Sequence, residues 1–482
     1  MSIERKAIKG ATWLALFKFS GQAVSWIATV IVARILVPDD YGLMEMATVI
    51  TGYAFIFNDL GLGQAIIQNP NVTKKQLSSV FWFSILLSFF FAVFAIAIAY
   101  PTSLIFHENR VIPLTQATSI LFIFSGLQIV PQSILLKNMQ FRSTGYIDMI
   151  GVLVSSISMV IMAKLGVGVW TLLGGHIIRS LVRVMLLFYV TNWKPMLFFN
   201  YREAKQFIKF GFIFALGKSL FYMHEKSDKF FAGRFWPAQL LGYYTFAMQL
   251  AVIPTDKIVS IINQVSYSAL AAIQHEKERF NQFYLNVSKI TATLVFPIFL
   301  GGFILAEDLI KVLLTEQWYP MIPLFRYLCI VQIFVSLCAL NGFVHSALGK
   351  PGRNLIVNIA LALFMPMSFY FAVQYSLNII LIPWFTTYLI INIAWMLYTL
   401  NIIGIPVSSY LKSIRSPFIA SFIMAVVVFI SYQFLDNYTM IIAKHWQLFI
   451  NISLGVAIYL LYIYKFDSDF LKKIKSLKSE NI

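Results

Sequence analysis

The chain has 482 residues, 59% of them hydrophobic and only 12% charged, and 37 Lys and Arg against 20 Asp and Glu give it a net charge of +17. Soluble domains run nearer about 45–50% apolar and 25% charged, which excludes an ordinary cytosolic globular enzyme. Fourteen membrane helices of about 20–23 apolar residues would use roughly 280–320 residues, leaving connections of about a dozen residues each and no room for a soluble domain.

The basic segment Met1 to Gly10 leads into an apolar run over 11–37. A signal peptide starts this way, but Lys18 interrupts the run and Ala11 to Leu36 is long enough to span a bilayer, so an uncleaved first helix is expected. Further apolar stretches follow at 42–66, 78–100, 112–136, 146–165, 167–190, 207–233, 240–268, 286–306, 322–348, 355–375, 378–402, 416–435 and 446–464. They predict an all-α polytopic membrane protein of about fourteen transmembrane helices, with the shortest connections at Gly166–Gly168 and Ser376–Asn378. Cys329 and Cys338 share one stretch, about 13.5 Å apart along a helix and beyond disulfide reach. A disulfide framework or cysteine metal site is therefore not expected.

Lys and Arg accumulate in short cytoplasmic loops. With the N-terminus inside, the inner connections and ends carry 23 of them, and the opposite side only six: Arg34, Arg110, Lys164, Arg234, Lys311 and Lys444. That alternation predicts an even number of spans with both termini cytoplasmic. Cations spread over eight inner connections suit anionic headgroups rather than nucleic acid. The basic tail, Lys472 to Lys478, reads as a solvated, lipid-facing end.

A shift of 200 residues aligns Ala15, Leu16, Lys18, Arg34, Gly42 and Ala47 with Ala215, Leu216, Lys218, Arg234, Gly242 and Ala247. Two of these matches are cations in or beside apolar segments, where cations are rare. Each Arg is followed by a proline, Pro38 or Pro237, and then by the glycine, which reads as one helix ending in the same turn. The inference is two pseudo-symmetric six-helix lobes, 1–200 and 201–402, with 403–482 forming two further helices and the basic tail.

Inside the expected spans lie Lys18, Arg179, Arg183, Lys218, Lys226, Lys229, Lys257 and Arg326, with Glu45, Asp59, Asp148, Glu225, Asp228 and Asp256. Each cation facing mid-membrane lipid costs about 2.5–3.5 kcal/mol, so they are expected to point into water or pair with one another. Lys18, Gln22, Ser25 and Thr29 form one helical stripe; Lys218, Tyr222, Glu225 and Lys229 form the same stripe on the repeat-related seventh span. These stripes are expected to wall one central cavity. Glu225 with Lys229 also suits a structural i, i+4 pair. Arg179 and Arg183 suit snorkelling to headgroups, Asp148 and Glu45 suit interfacial positions, and Asp59 suits either a partner for Lys18 or a polar helix end. His176, His224 and His345 lie in three different spans without metal-ligand spacing. The slight cationic surplus of the set suits an anionic ligand.

The segments Lys9-Gly10-Ala11-Thr12-Trp13-Leu14, Ala33-Arg34-Ile35-Leu36-Val37-Pro38-Asp39-Asp40-Tyr41-Gly42 and Phe57-Asn58-Asp59-Leu60-Gly61-Leu62-Gly63-Gln64-Ala65-Ile66-Ile67-Gln68 resemble the polysaccharide transporter family. This is the Wzx-type flippase branch of the multidrug/oligosaccharidyl-lipid/polysaccharide exporter superfamily, and the chain is most similar to its colanic-acid and teichuronic-acid exporters. The resemblance implies two lobes around a V-shaped cavity lined by the first and seventh helices. It also implies alternating access that carries an undecaprenyl-diphosphate-linked oligosaccharide across the bacterial inner membrane. No residue-level motif carries over, so the site rests on spacing: Lys18, Gln22, Lys218, Glu225, Lys229, Lys257 and Arg326 for substrate, and Asp59, Glu225 and Asp256 for ion coupling. Membrane lipids, polysaccharide polymerase machinery and a coupling H+ or Na+ are the further expected partners. No cofactor is expected. The alternatives are a cation-coupled multidrug exporter or a peptidoglycan-precursor flippase on the same fold. A membrane glycosyltransferase or polymerase is the alternative of another class, against which stand the short outer loops and the lack of a catalytic constellation.

Overall fold

A computed structural model describes residues 3–436 and 443–467, with side chains throughout except at 3–16, 18, 19, 213, 214, 264 and 436. The basic tail and the Lys18 side chain therefore lie outside the described residues. Those described are helical and contain no strand. They divide into two compact units, one reaching to Gly242 and the other starting at Tyr243.

In the first unit α1 (Ile3–Ile35) stops short of Pro38, which opens α2 (Pro38–Asp59) at a position where a missing N–H is harmless. Leu60 (φ 43°) and Gly61 (φ 58°) both turn left-handed and end α2, and α3 (Leu62–Gln68) restarts the helix. α4 (Lys74–Phe106) opens with a reciprocal cap: Gln76 N–H donates to Thr73 Oγ1 at 3.2 Å, and Thr73 N–H to Gln76 Oε1 at 3.0 Å. α5 (Val111–Ala117) leads into α6 (Ser119–Lys137). α7 (Phe141–Lys164) and α8 (Trp170–Thr191) are parted by Gly166 and Gly168, at φ 74° and 58°, so the short connection expected there is a true break. α9 (Tyr201–Glu225) is capped by the Asn200 side chain and gives way at Lys226 to α10 (Ser227–Phe235). α11 (Ala238–Pro254) follows.

Pro254 lacks a donor and crowds the preceding turn, and the helix answers with a π turn over Thr255–Val259. The second unit continues with α12 (Ser260–Ala272), α13 (Lys277–Ile304), α14 (Ala306–Leu313), α15 (Ile322–Ala347) and α16 (Gly352–Ala372). α17 (Leu389–Ile403), α18 (Val407–Asp436) and α19 (Lys444–Phe466) complete it. A second π turn, Trp384–Tyr388, again follows a proline, Pro383. Buried Tyr284, Leu340, Val344 and Tyr410 join α13, α15 and α18. Tyr284 Oη donates to Asn341 Oδ1 at 3.0 Å, and buried His345 bonds Thr399 Oγ1 at 3.0 Å, which makes this histidine a packing contact.

All fourteen apolar stretches fall on helix. Among the described residues, eleven helices are long and apolar enough to cross a membrane, or up to twelve if the bent pair Ser20–Ile35 and Pro38–Gln68, at 116°, is one span. Outside the eleven are the short α14 and, among the longer segments, α1, α2 with α3, and α9 with α10. The last two are interrupted and carry Glu45, Asp59, Lys218 and Glu225, the groups the sequence marks as out of place in lipid.

α4 shows how such helices pack. Ser84, Ser88, Ala92, Ala95 and Ala99 are buried while Leu86, Phe89, Phe90, Val93 and Ile96 face outward. Small residues let α4 approach α6 closely enough for Ser84 Oγ to donate to the Gly126 carbonyl at 3.2 Å. The large side chains gain nothing from being inside, because hydrocarbon solvates them; this is the inverse of a water-soluble core. The chain is a multi-pass membrane protein.

Candidate functional site

Glu45, Asp59, Lys218, Tyr222, Lys226 and Lys229 lie along one seam, where α9, α10 and the start of α11 run antiparallel along α2. At one end the Leu60 carbonyl lies where a Cβ on Gly211 would be. Lys218 Nζ sits 3.3 Å from Asp59 Oδ2. Tyr222 Oη donates to the Val49 carbonyl at 3.0 Å. Beyond it Lys226 and Lys229 both reach Glu45 Oε1 at 3.4 Å. At the far end Gly42 lies under the Ala238 carbonyl and Gly242 under the Pro38 carbonyl. The two glycines paired by the 200-residue repeat thus occupy reciprocal positions at one crossing.

The pairs along this seam differ in character. Lys218 and Asp59 are 46% and 35% exposed, open enough for a ligand to compete for either. Lys229 and Glu45 are only 14% and 13% exposed, and their pairing holds two helices together. Lys229 is thus bound to Glu45 rather than to Glu225, which is exposed at the end of α9. Glu45 and Asp148, expected at interfacial positions, each have counter-ions on neighbouring helices. Glu45 is the hub of the lysine pair, and Asp148 Oδ1 lies 3.1 Å from Arg183 Nε, which ties α7 to α8. Gln22 is half-buried on α1.

In the second unit the π turn carries exposed Asp256 and half-buried Lys257. Thr255 Oγ1 beside them bonds Gln332 Oε1 and Ser336 Oγ of α15, each at 3.0 Å. Arg326 stands in the first turns of α15, 3.8 Å from Glu307, whose other oxygen holds Lys311 at 2.6 Å. The expected second-unit residues therefore lie in two places, one at the π turn and one at the head of α15.

A cavity of about 190 Å³ opens in the first unit, lined by Asp59, Gln64, Ser125, Gln128, Gln132 and Arg183, among others. The reading by charge missed its amides. The signal was present: 125, 128, 129, 132, 133 and 136 form one helical stripe on α6, largely polar, in an otherwise apolar span.

The turn after α4 holds a second set of ions. Arg110 donates to both oxygens of Glu108, at 2.9 and 2.7 Å, and to Asp39 Oδ2 at 2.6 Å; Arg234 bonds His107 alongside. The Arg110 hydrogen bond holds the Glu108 carboxyl below the usual glutamate range. A carboxyl lowered in the folded state contributes stability above its unfolded value of about 4.3 and loses it as pH falls through the folded one. Arg110 is 57% exposed, so screening limits each pair to about 1 kcal/mol or less. Amide exchange over residues 107–111, corrected for intrinsic rate, is expected to quicken as pH is lowered from 5 to 3, and R110Q to remove that dependence.

Residues 31–323 match the model of a family described as polysaccharide biosynthesis protein. The chain is 24% identical to teichuronic acid biosynthesis protein TuaB of Bacillus subtilis (strain 168), over 96% of both chains. It is also 24% identical to lipopolysaccharide biosynthesis protein WzxC of Escherichia coli (strain K12), over 70% of this chain and 69% of the other. Among solved structures the lipid II flippase MurJ, in an inward closed conformation, superposes with a TM-score of 0.76 at 16% identity, covering 95% of this chain and 99% of the other. Helices bearing a polar seam in an otherwise lipid-facing bundle, the fold shared with MurJ and the match over residues 31–323 lead to one assignment: the chain belongs to the polysaccharide biosynthesis protein family and has the fold of the exporter superfamily it resembled in sequence.

Proposed function

We propose that this protein is a flippase that carries a polyprenyl-diphosphate-linked oligosaccharide across the bacterial inner membrane for surface polysaccharide synthesis. The relatives TuaB and WzxC are named for the biosynthesis of such polymers, and MurJ is a lipid-linked precursor flippase by its title. The observation that carries the reading is the exposed Lys218–Asp59 pair on two interrupted helices that lie outside the eleven straightforward spans. An exposed ammonium beside a carboxylate can be taken over by a diphosphate, which offers more charge and more acceptor oxygens than Asp59 does. The released carboxylate is then free to take a proton or Na+, which supports the coupling role given to Asp59, with Glu225 and Asp256 as the other candidates. Gln22, Lys18, Lys229, Lys257 and Arg326 complete the proposed substrate set.

In this reading both termini are cytoplasmic, residues 1–200 and 201–402 are the repeat-related lobes, and alternating access moves the headgroup while the prenyl tail stays in lipid. The rival drug-exporter reading calls for a neutral or acidic cavity, which the lysine-rich seam does not favour.

An exposed ion pair contributes about 0–1 kcal/mol to stability, so its loss is expected to leave the fold intact. K18A and K218A are each expected to cut polysaccharide export at least tenfold with normal amounts of protein in the membrane. Surface polymer measured against immunoblotted protein checks this, and undiminished export in both variants removes the anion site.

A further inference from the structure

We infer that the cavity between α3, α6 and α8 is a carbohydrate subsite that takes one neutral pyranose ring. The inference rests on the flippase reading and places the sugar, as the lysines place the diphosphate. The cavity's size sets the first limit. About 190 Å³ is below the roughly 300–1,000 Å³ that encloses a drug-sized ligand, so one ring fits and a whole repeat unit does not.

Its lining sets the second. Arg183 and Asp59 bring opposite charges to the wall, and each already faces an ion of its own, Asp148 and Lys218 respectively. An added anion would meet the Asp59 carboxylate and find the guanidinium already answered. A prenyl chain would strip water from three glutamines and a serine without replacing their hydrogen bonds, at the cost of burying unpaired polar groups.

A sugar ring meets both limits. Gln64, Gln132 and Ser125 have no hydrogen-bond partner among the described residues, and Gln128 uses only its amide nitrogen, which donates to the Ser180 carbonyl at 3.2 Å. Amides offer a donor and an acceptor side by side, and each sugar hydroxyl is itself both donor and acceptor. A guanidinium and a carboxylate can each engage a pair of neighbouring hydroxyls. Ile67, Ile129 and Leu136 supply apolar wall for the C–H face of the ring.

The test compares two probes bound to full-length protein in lipid nanodiscs: undecaprenyl diphosphate, and the same lipid carrying a single hexose. Wild type is expected to bind the hexosyl lipid more tightly. Q64A/Q132A is expected to weaken the hexosyl lipid about tenfold or more, on the order of two lost hydrogen bonds, and to leave the bare lipid within about twofold. K218A is expected to weaken both. A second readout does not depend on those amides: maleimide labelling of S125C should be slowed by the hexosyl lipid and not by the bare one. The native Cys329 and Cys338 are buried in the other unit and compete little.

Equal loss of both probes in Q64A/Q132A, no loss of either, or protection of S125C by the bare lipid or by Na+ alone overturns the sugar subsite. Equal binding of the two lipids to wild type does so too and leaves the flippase reading standing. Binding of neither lipid to wild type overturns the flippase reading and the subsite together.

Discussion

Alanine at Gly42 or Gly242 is expected to abolish export, with an effect larger than that of any single charge removed from the seam. A Cβ at Gly42 would fall inside the Ala238 carbonyl group, and one at Gly242 inside that of Pro38. Both obstacles are backbone, so no rotamer change relieves them. Pro38 and Ala238 each stand at the first position of a helix, where the chain cannot shift without moving the whole of α2 or α11. Overpacking of this kind costs about 1–3 kcal/mol, and about 1.4 kcal/mol already moves a two-state equilibrium tenfold. The arrangement in which these helix ends close on one another is the one that suffers. In the flippase reading it is one end state of the transport cycle, so the variants stall with this crossing open.

Thiol labelling of L43C, a buried position next to Gly42, is expected to rise at least tenfold in the G42A and G242A backgrounds. The control is G217A, in the interior of α9. Gly217 has nothing within 4 Å of the added methyl, and alanine there gains roughly 0.8–1 kcal/mol of helix propensity. It should leave Tm unchanged or raised. Normal export in both crossing variants, or equal damage in all three, would show that the glycines matter for helix breaking and not for close approach.

The positions of the helices were legible in the sequence because lipid imposes one long apolar run per span, and each run became helix. Which of those helices qualify as spans was less legible, since α2 and α9 are broken where the hydropathy profile runs smooth. Leu60 adopts φ 43° beside Gly61, a break that the pattern Leu60-Gly61-Leu62-Gly63 hinted at. The break at Lys226 carries no glycine or proline and had no signal at all.

For the seam, the repeat pairs Gly42 with Gly242, which meet at one crossing, and helical spacing puts Lys218, Tyr222 and Lys229 on one face of α9 and α10, each of which contacts α2. Spacing alone could not say which acid answers which base. Lys229 lies four residues from Glu225, and the sequence weighs that i, i+4 pair, yet its counter-ion is Glu45, 184 positions away in the chain. Asp59 was considered as a partner for Lys18, and the described residues put Lys218 beside it. The amide-lined cavity escaped a reading based on charge because glutamine carries none.

Glutamine in place of Glu45 should remove the folded protein from the membrane. Glu45 Oε1 is shared by two ammonium groups, Lys226 Nζ and Lys229 Nζ, in a part of the bundle where neither the acid nor Lys229 is more than 14% exposed. Taking one member from a buried ion pair leaves its partner charged and desolvated, at about 3–5 kcal/mol, and here one substitution strands two partners. Total stabilities of about 5–15 kcal/mol leave little margin for that. Tm and monodispersity in detergent are expected to fall sharply for E45Q. K226M should fall much less, because Lys229 still neutralises Glu45. If the cost is one of uncompensated charge and not of lost contacts, E45L/K226M/K229M should regain most of the wild-type Tm, since well-packed apolar replacements of buried ion clusters are commonly neutral or stabilising. The same triple variant should remain poor in export if Lys229 also meets the substrate. A wild-type Tm for E45Q would mean that water reaches this cluster freely; the lysines would then belong to the ligand-accessible part of the seam, and Glu45 would join Asp59 as a displaceable counter-ion.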